Sequence, residues 1–380
     1  MVLTEVKQDP DRGKPTPVEQ RPIDFSKVGA LVWACNASQT PRGTFLSSEE
    51  TYGADARRIE TDRKADPSGM SDTFAGTTAP YHGGREPANP YVRGITPEIT
   101  IGADGSNDVE RHYAMGRGTM ELRKVMPDPR TVLIAHDGTN KAVTLFVADR
   151  KGDLSSGTLC AAKLDQKSAE NGGTFDVTWI KLGHATDAEI KAMVDDRIQF
   201  RDITEAGYTE VCSNDLNTPE YLKVMNEKAA AFLETMRCGG IKGATTEFRK
   251  AEGATFEPEG KVACIAISDI DKGMLAGKST GDAGDQIRLE NVDAGAICAL
   301  LNDGGVKDAS GEMIDSPYVP VSMHVPEGLM GRDLAEPDAL GNMSDPDLIA
   351  NGEKLDWSVE YKTLFIGEDS RSHISNMLWA

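Results

Sequence analysis

The sequence has no long apolar run. Because a membrane-spanning helix needs about 18 or more consecutive apolar residues, no such helix is predicted. The first residues are polar and lack the basic-then-apolar order of a secretory signal segment. These observations leave two possibilities open: a cytoplasmic protein, or a chain whose targeting segment is missing.

The short motifs of several large enzyme classes are also absent. The chain contains no G-x-x-x-x-G-K-[ST], no H-E-x-x-H and no G-x-S-x-G. Its 6 cysteines include no C-x-x-C pair, which argues against a zinc ribbon or a thioredoxin-like site. Cys212 and Cys238 flank a predicted helix and could form a disulfide, but the sequence does not decide this.

Positive charge is scarce. The chain has 41 basic and 61 acidic residues, a formal charge of −20. This balance argues against nucleic acids and anionic membranes as partners and suits a protein that binds cations. A phosphate site would therefore need a local metal ion or arginine. The 380 residues suffice for two domains or for one large all-β domain.

Short apolar runs between Gly, Pro and polar residues predict many strands. The predicted strands are 28–35, 94–101, 131–136, 144–148, 157–163, 174–182, 262–268, 296–301, 319–324 and 362–367. Two helices are predicted, at 187–196 behind a Thr186–Glu189 capping box and at 219–237 behind Thr218. Many short strands without regular βαβ alternation predict a sandwich, a barrel or a propeller.

Acidic residues recur beside the predicted strands. Glu121 precedes strand 131–136, Glu50 follows strand 28–35, and Glu368 follows strand 362–367. If these strand ends converge, their carboxylates would form a site for hard cations, which prefer oxygen ligands. The alternative is that acidic residues lie at turns because turns are solvated.

Five segments resemble, in order along the chain, signatures of the PhoX-type alkaline phosphatase family. Residues 33–50 resemble its Cys…T-P-W-G-T…E-E signature, and residues 112–121 resemble G-R-F-x-H-E. Residues 157–163 resemble the strand G-T-L-Y-x-A-K. Residues 245–253 resemble the Arg-x-Glu signature, and residues 366–369 resemble G-E-D.

The resemblance implies a secreted or periplasmic phosphomonoesterase that uses calcium and iron and hydrolyses small phosphate esters as a monomer. The metal ligands it implies are Cys35, Glu50, Glu121, Glu252 and Glu368. Arg249 would hold the phosphate, and with Cys35 it forms the predicted catalytic pair. A thiolate suits iron, carboxylates suit calcium, and a guanidinium matches phosphate oxygens two at a time.

The implied fold is all-β and β-propeller-like, with helical insertions. We expect a single domain over 1–380, with an extended arm at 1–26, a loop insertion at 51–92 and a helical insertion at 186–240. The apolar stretch 376–380, with no turn after it, and the family's N-terminal strand, which is not visible here, predict a chain truncated at both ends.

One departure from the family pattern leaves two alternative functions open. Two residues after Arg249, where the family has Glu, this sequence has Ala251, and Glu252 follows it. Because adjacent side chains in a strand face opposite ways, we expect Ala251 to face the pocket and Glu252 to face away. The alternative is a β-bulge that turns Glu252 inward. The chain is then either a PhoX-like phosphatase or a catalytically impaired propeller that binds calcium or a partner.

Overall fold

The computed structural model describes residues 1–50, 53–61, 89–211, 219–277 and 285–331. The strands are β1 (Val2–Gln8), β2 (Pro15–Pro22), β3 (Ala37–Gln39), β4 (Phe45–Ser47), β5 (Thr96–Ile101), β6 (Asn107–His112), β7 (Met120–Val125), β8 (Thr131–His136), β9 (Thr144–Arg150), β10 (Asp153–Ser168), β11 (Thr174–Thr186), β12 (Thr204–Val211), β13 (Glu220–Val224), β14 (Ala251–Glu257), β15 (Val262–Ile267), β16 (Ala296–Asp303) and β17 (Val319–His324). The helices are α1 (Ala56–Thr61), α2 (Asp187–Asp195), α3 (Phe200–Ile203), α4 (Glu227–Leu233) and α5 (Thr235–Ile241).

A nine-stranded antiparallel sheet forms the centre of the fold. Its order is β14-β15-β16-β17-β11-β10-β9-β8-β7, so two meanders meet where β11 pairs with β17. The outer strands β7 and β14 approach each other, which leaves the sheet nearly closed. The expected fold class, all-β and propeller-like with helical insertions, is confirmed.

Side chains on the two faces of this sheet enter separate cores. Leu133 and Leu145 belong to one core, and their neighbours Ile134 and Phe146 belong to the other. This alternation follows from the two-residue period of a strand and explains why β8 and β9 are buried on both faces. The second core also contains residues of the helices, which therefore cover one side of the sheet.

Three smaller sheets accompany the large one. Strands β3-β4-β5-β6 form a four-stranded sheet, β12 pairs with β13, and β1 pairs with β2. The region 1–26, expected as an extended arm, contains the exposed antiparallel β1–β2 hairpin. The single-domain division stays a prediction.

The predicted helix at 219–237 is wrong in its first part. Residues Glu220–Val224 form β13, in which Glu220 and Leu222 are buried while Tyr221 and Lys223 are exposed, the alternation of a half-buried strand. Helix α4 begins only after Asn226, whose side chain accepts a hydrogen bond from the Ala229 N–H. The predicted helical insertion at 186–240 therefore also contains the β12–β13 hairpin. The Thr186–Glu189 capping box of α2 is confirmed.

The predicted strand at 28–35 is also wrong. Ala30 and Trp33 have φ values of 66° and 46°, in the left-handed region that cannot continue a strand. The backbone bends around Glu49 instead, and the Val32 N–H donates to Glu49 Oε1 at 2.9 Å.

The predicted strand 362–367, Glu368 and Cys212 lie outside the described residues. Within the described residues, no helix is long and apolar enough to span a membrane.

Candidate metal centre

Three of the predicted ligands lie together. One ligand atom each from Cys35, Glu50 and Glu121 lies within 4.8 Å of the other two. The Cys35 thiol donates to Glu121 Oε1 across 3.0 Å. Because Glu50 and Glu121 lie 71 positions apart in the sequence, only the tertiary fold brings this group together.

The segment after β4 places Glu50. The Glu50 N–H donates to the Trp33 carbonyl at 3.1 Å, which joins it to the bent segment that carries Cys35. The preceding residue, Glu49, is fully buried and accepts from Arg111 Nη1 at 2.9 Å. It also accepts from the Gly94 N–H at 2.9 Å, so Glu49 fixes the backbone beside the centre and points away from solvent.

Asp137 and Glu252 complete the cluster. Asp137 follows β8, where its N–H donates to the Thr119 carbonyl at 2.9 Å, and Glu50 lies within hydrogen-bonding reach of its carboxylate. Glu252 interacts electrostatically with Glu50 and Asp137. Sequence reasoning did not single out Asp137 as a ligand, although its position at the exit of a buried strand was the available signal.

The orientation expected for residues 251 and 252 is wrong, and the alternative matches the structure. The register between β14 and β15 shifts between Ala251 and Gly253, which marks a β-bulge. Ala251 packs in the apolar core, and Glu252 faces the carboxylates. Glu252 therefore adds its carboxylate to the cluster, and Ala251 does not face it.

Burial and the crowding of like charges raise the pKa values of three carboxyl groups of the cluster and of the Cys35 thiol. Desolvation and the charges of Glu121 and Asp137 raise the pKa of Glu50 to about 9. Desolvation and the neighbouring acids raise the pKa of Glu121 to about 7 and that of Glu252 to about 8. Desolvation and the bond to Glu121 raise the pKa of the Cys35 thiol well above its usual range. These groups hold protons that a bound cation would displace.

The donor set fits a cation. Glu121 Oε2 is buried and has no hydrogen-bond partner among the described residues. An unpaired buried carboxylate oxygen is costly unless a ligand satisfies it. Carboxylate oxygens suit calcium, and a thiolate adds a ligand that suits iron.

The adjacent basic residues Arg249 and Lys250 have different acidic partners. Arg249 is held by Asp271 at 3.1 Å and by Asp269 at 3.6 Å. Lys250 contacts the cluster, with its Nζ 3.8 Å from Glu252 Oε1. Its N–H donates to the Gly138 carbonyl at 2.8 Å, immediately after Asp137. Sequence reasoning missed Lys250 because the bulge that turns Glu252 inward is not visible in the sequence.

Comparison with known proteins adds one structural likeness. No family model matches the chain, and no curated protein is similar to it in sequence. The solved structure of Pseudomonas fluorescens PhoX in complex with vanadate, a transition-state analogue, aligns with a TM-score of 0.45 and 18% sequence identity. The alignment covers 72% of this chain and 45% of that one, so this chain matches less than half of that protein's length.

Proposed function

We propose that this protein is a metal-dependent hydrolase of phosphate monoesters. The observation that carries the proposal is the convergence of Cys35, Glu50, Glu121, Asp137 and Glu252 on one site. Five acidic ligand groups could hold more than one cation. Calcium or iron bound there would act as a Lewis acid on the phosphate oxygens and offset their charge.

The chain's own residues would orient and neutralise the substrate. Lys250 supplies a positive charge at the edge of the cluster, on a backbone bonded to both Gly138 and Ser268. It would attract a phosphate oxygen as a point charge. Arg249 would contribute only by exchanging one of its aspartate partners for the phosphate.

The second candidate is a calcium-binding protein of the same fold without catalytic activity. The pairing of Arg249 with Asp269 and Asp271 favours it, because two carboxylates already balance the charge that would attract a phosphate. Because its motifs resemble those of secreted phosphatases, we also propose that the protein acts outside the cytoplasm. Glu368 as a further ligand and the action of the protein as a monomer remain parts of the proposal as well.

The test compares cation binding with turnover. We would strip the protein with a chelator, reload it with calcium and ferric iron, and measure hydrolysis of 4-nitrophenyl phosphate. Glu121→Gln and Glu252→Gln should lose at least 100-fold in kcat/KM, whereas Glu312→Gln, at an exposed ion pair with Lys181, should not. Cation binding without turnover would support the second candidate, and absence of cation binding would contradict both.

A further inference from the structure

The β1–β2 hairpin is a separate two-stranded sheet at the protein surface. Its three valines, Val2, Val6 and Val18, are 63%, 54% and 60% exposed. A hairpin of two strands is at best marginally stable in water, and independent stability needs a third strand or packing against a helix. Within the described residues, no third strand joins this sheet. The hairpin therefore has room for a further strand that would stabilise it.

Prolines close the outer edge of β2. Where the hairpin begins, the Asp9 N–H donates to the Lys14 carbonyl at 3.0 Å, so the backbone of Lys14 faces the partner strand. Because inward-facing and outward-facing backbone groups alternate along a strand, Pro15 and Pro17 face outward. Proline has no N–H to donate, and natural sheets use it to protect an edge from further pairing. A third strand would therefore not add to β2.

The outer edge of β1 is free of proline. By the same alternation, Thr4, Val6 and Gln8 direct their backbone N–H and C=O groups outward. Among the described residues, β1 pairs with β2 alone. A row of such edge groups is a template for pairing with another strand. The hairpin therefore accepts a strand on the β1 side.

Two carboxylates of the hairpin lie directly opposite each other. Glu5 on β1 pairs in register with Glu19 on β2, and both residues are exposed. Like charges in this position destabilise a pair of strands. A positive charge on the open side of Glu5 would offset the repulsion. The strand that fits this edge therefore carries a basic residue opposite Glu5.

We infer that β1 pairs antiparallel with β1 of a second copy of this chain, on a two-fold axis at Val6. Two hairpins would then form one four-stranded sheet. The axis places Val6 opposite Val6 of the second copy, which brings two exposed apolar side chains together. It also places Glu5 opposite Lys7 of the second copy, so that two opposite-charge pairs form beside the two Glu5–Glu19 pairs. Such a self-complementary contact is the usual interface of a homodimer.

The charges select this register among the neighbouring ones. A two-fold axis at Glu5 would place Glu5 opposite itself, and an axis at Lys7 would place Lys7 opposite itself. Both arrangements bring like charges together. An axis at Thr4 would place Glu5 opposite Leu3, without a charge partner. Only the axis at Val6 pairs Glu5 with a basic residue.

The inference goes beyond the proposed function and does not depend on it. No residue of β1 belongs to the candidate metal centre. Each chain of the dimer therefore keeps its own centre and acts on its substrate alone. The pairing concerns the assembly of the chains and leaves the proposed action of the single chain unchanged.

The first experiment measures the dissociation constant of the dimer for the whole protein by analytical ultracentrifugation. Lys7→Glu and Glu5→Lys should each raise this constant at least tenfold, because the axis converts two opposite-charge pairs into two like-charge pairs. The double variant Glu5→Lys/Lys7→Glu should restore it to within threefold. Lys14→Glu is the matched control, because it makes the same charge change at an exposed residue between β1 and β2, outside the pairing. It should leave the constant unchanged.

The second experiment tests the register by cross-linking. In a hydrogen-bonded antiparallel pair the Cα atoms are about 5.5 Å apart, which is within the range of a disulfide. Oxidised glutathione should therefore convert Val6→Cys into covalent dimers. Val18→Cys, at a valine of similar exposure on β2, is the matched control and should stay monomeric under denaturing electrophoresis. Cys35 is exposed in both variants and contributes equally to each.

The outcomes separate this inference from the proposed function. A protein that stays monomeric at all concentrations would overturn the inference, as would a dimer that neither single charge variant weakens. Failure of the double variant to restore the dimer, or equal cross-linking of Val6→Cys and Val18→Cys, would overturn the register. A dimer with these responses that hydrolyses no 4-nitrophenyl phosphate would support the inference and contradict the phosphatase alone.

Discussion

Two adjacent glutamates have opposite environments. Glu49 is fully buried and surrounded by donors, from the Val32 and Gly94 N–H groups and from Arg93 and Arg111. Glu50 faces other acids, Glu121 and Asp137. The first carboxylate stabilises the folded state by its charge, and the second destabilises it until a cation arrives.

The first prediction concerns Glu49→Gln. Removing this charge leaves the buried guanidinium groups of Arg93 and Arg111 without their carboxylate. Because an unpaired buried charge is costly, the free energy of unfolding should fall by about 3–5 kcal/mol. Urea denaturation of the variant and the unmodified protein measures this difference, and a change below about 1 kcal/mol would contradict the role given to Glu49.

The second prediction is an increase, not a decrease, in the free energy of unfolding. In the presence of a chelator, Glu50→Gln should raise the free energy of unfolding, because it removes one of the mutually repelling acids. The effect should grow from pH 5 to pH 9, since the raised pKa of Glu50 makes its ionisation unfavourable in the folded state. The same variant should bind calcium more weakly. Denaturation with and without calcium measures both effects, and destabilisation by Glu50→Gln in chelator would contradict the cluster.

The third prediction concerns His112. Burial opposes its protonation, but hydrogen bonds to Asp187 at 3.0 Å and to Glu98 at 2.7 Å outweigh it and raise its pKa to about 9. Its charged form therefore stabilises the fold fully below pH 6.5, and this contribution disappears as the pH rises through 9. His112→Gln should lower the free energy of unfolding at pH 6 by up to about 3 kcal/mol and by less at pH 10. An equal loss of unfolding free energy at both pH values would contradict the stabilising role of the charged His112.

At the level of secondary structure, short apolar runs bounded by turn-forming residues were the easiest to predict. The boundaries of β8 and β17 agree with the sequence-based ranges 131–136 and 319–324. The segment 28–35 failed because hydrophobicity does not report the left-handed backbone at Ala30 and Trp33. At 219–237, a strand was missed because Leu222 fits both a helical stripe and an alternating strand pattern.

The candidate centre was predictable only in part, because the sequence does not show the local backbone conformation. Cys35, Glu50 and Glu121 were identified from sequence because they belong to recognisable motifs. Asp137 and Lys250 were missed, and the orientation of Glu252 was predicted wrongly, because a bulge shifts every side chain after it to the other face of the strand.

The β14 bulge leads to the fourth prediction. Since Ala251 is buried in the apolar core, Ala251→Glu places a carboxylate there and should reduce the free energy of unfolding by several kcal/mol. Neither calcium binding nor phosphatase turnover should increase. Ala251→Leu is a control that tests crowding without charge. A gain in bound metal by Ala251→Glu would instead mean that position 251 faces the cluster.

At the scale of the whole molecule, closure of the sheet brings two carboxylates of the site together. Glu121 lies on β7 and Glu252 on β14, the two ends of a nine-strand order that approach each other. Strands far apart in sequence thereby bring carboxylates together at one edge. The net charge of −20 adds a general attraction for cations.

The most direct test of this account is the metal content of the purified protein, measured by elemental analysis together with the Glu121→Gln/Glu252→Gln double variant. We predict at least one equivalent of calcium or iron in the unmodified protein and less than a tenth of that amount in the double variant, with both proteins folded. Metal-free unmodified protein that also fails to take up calcium and iron after chelation would contradict the account, as would equal metal content in the two proteins.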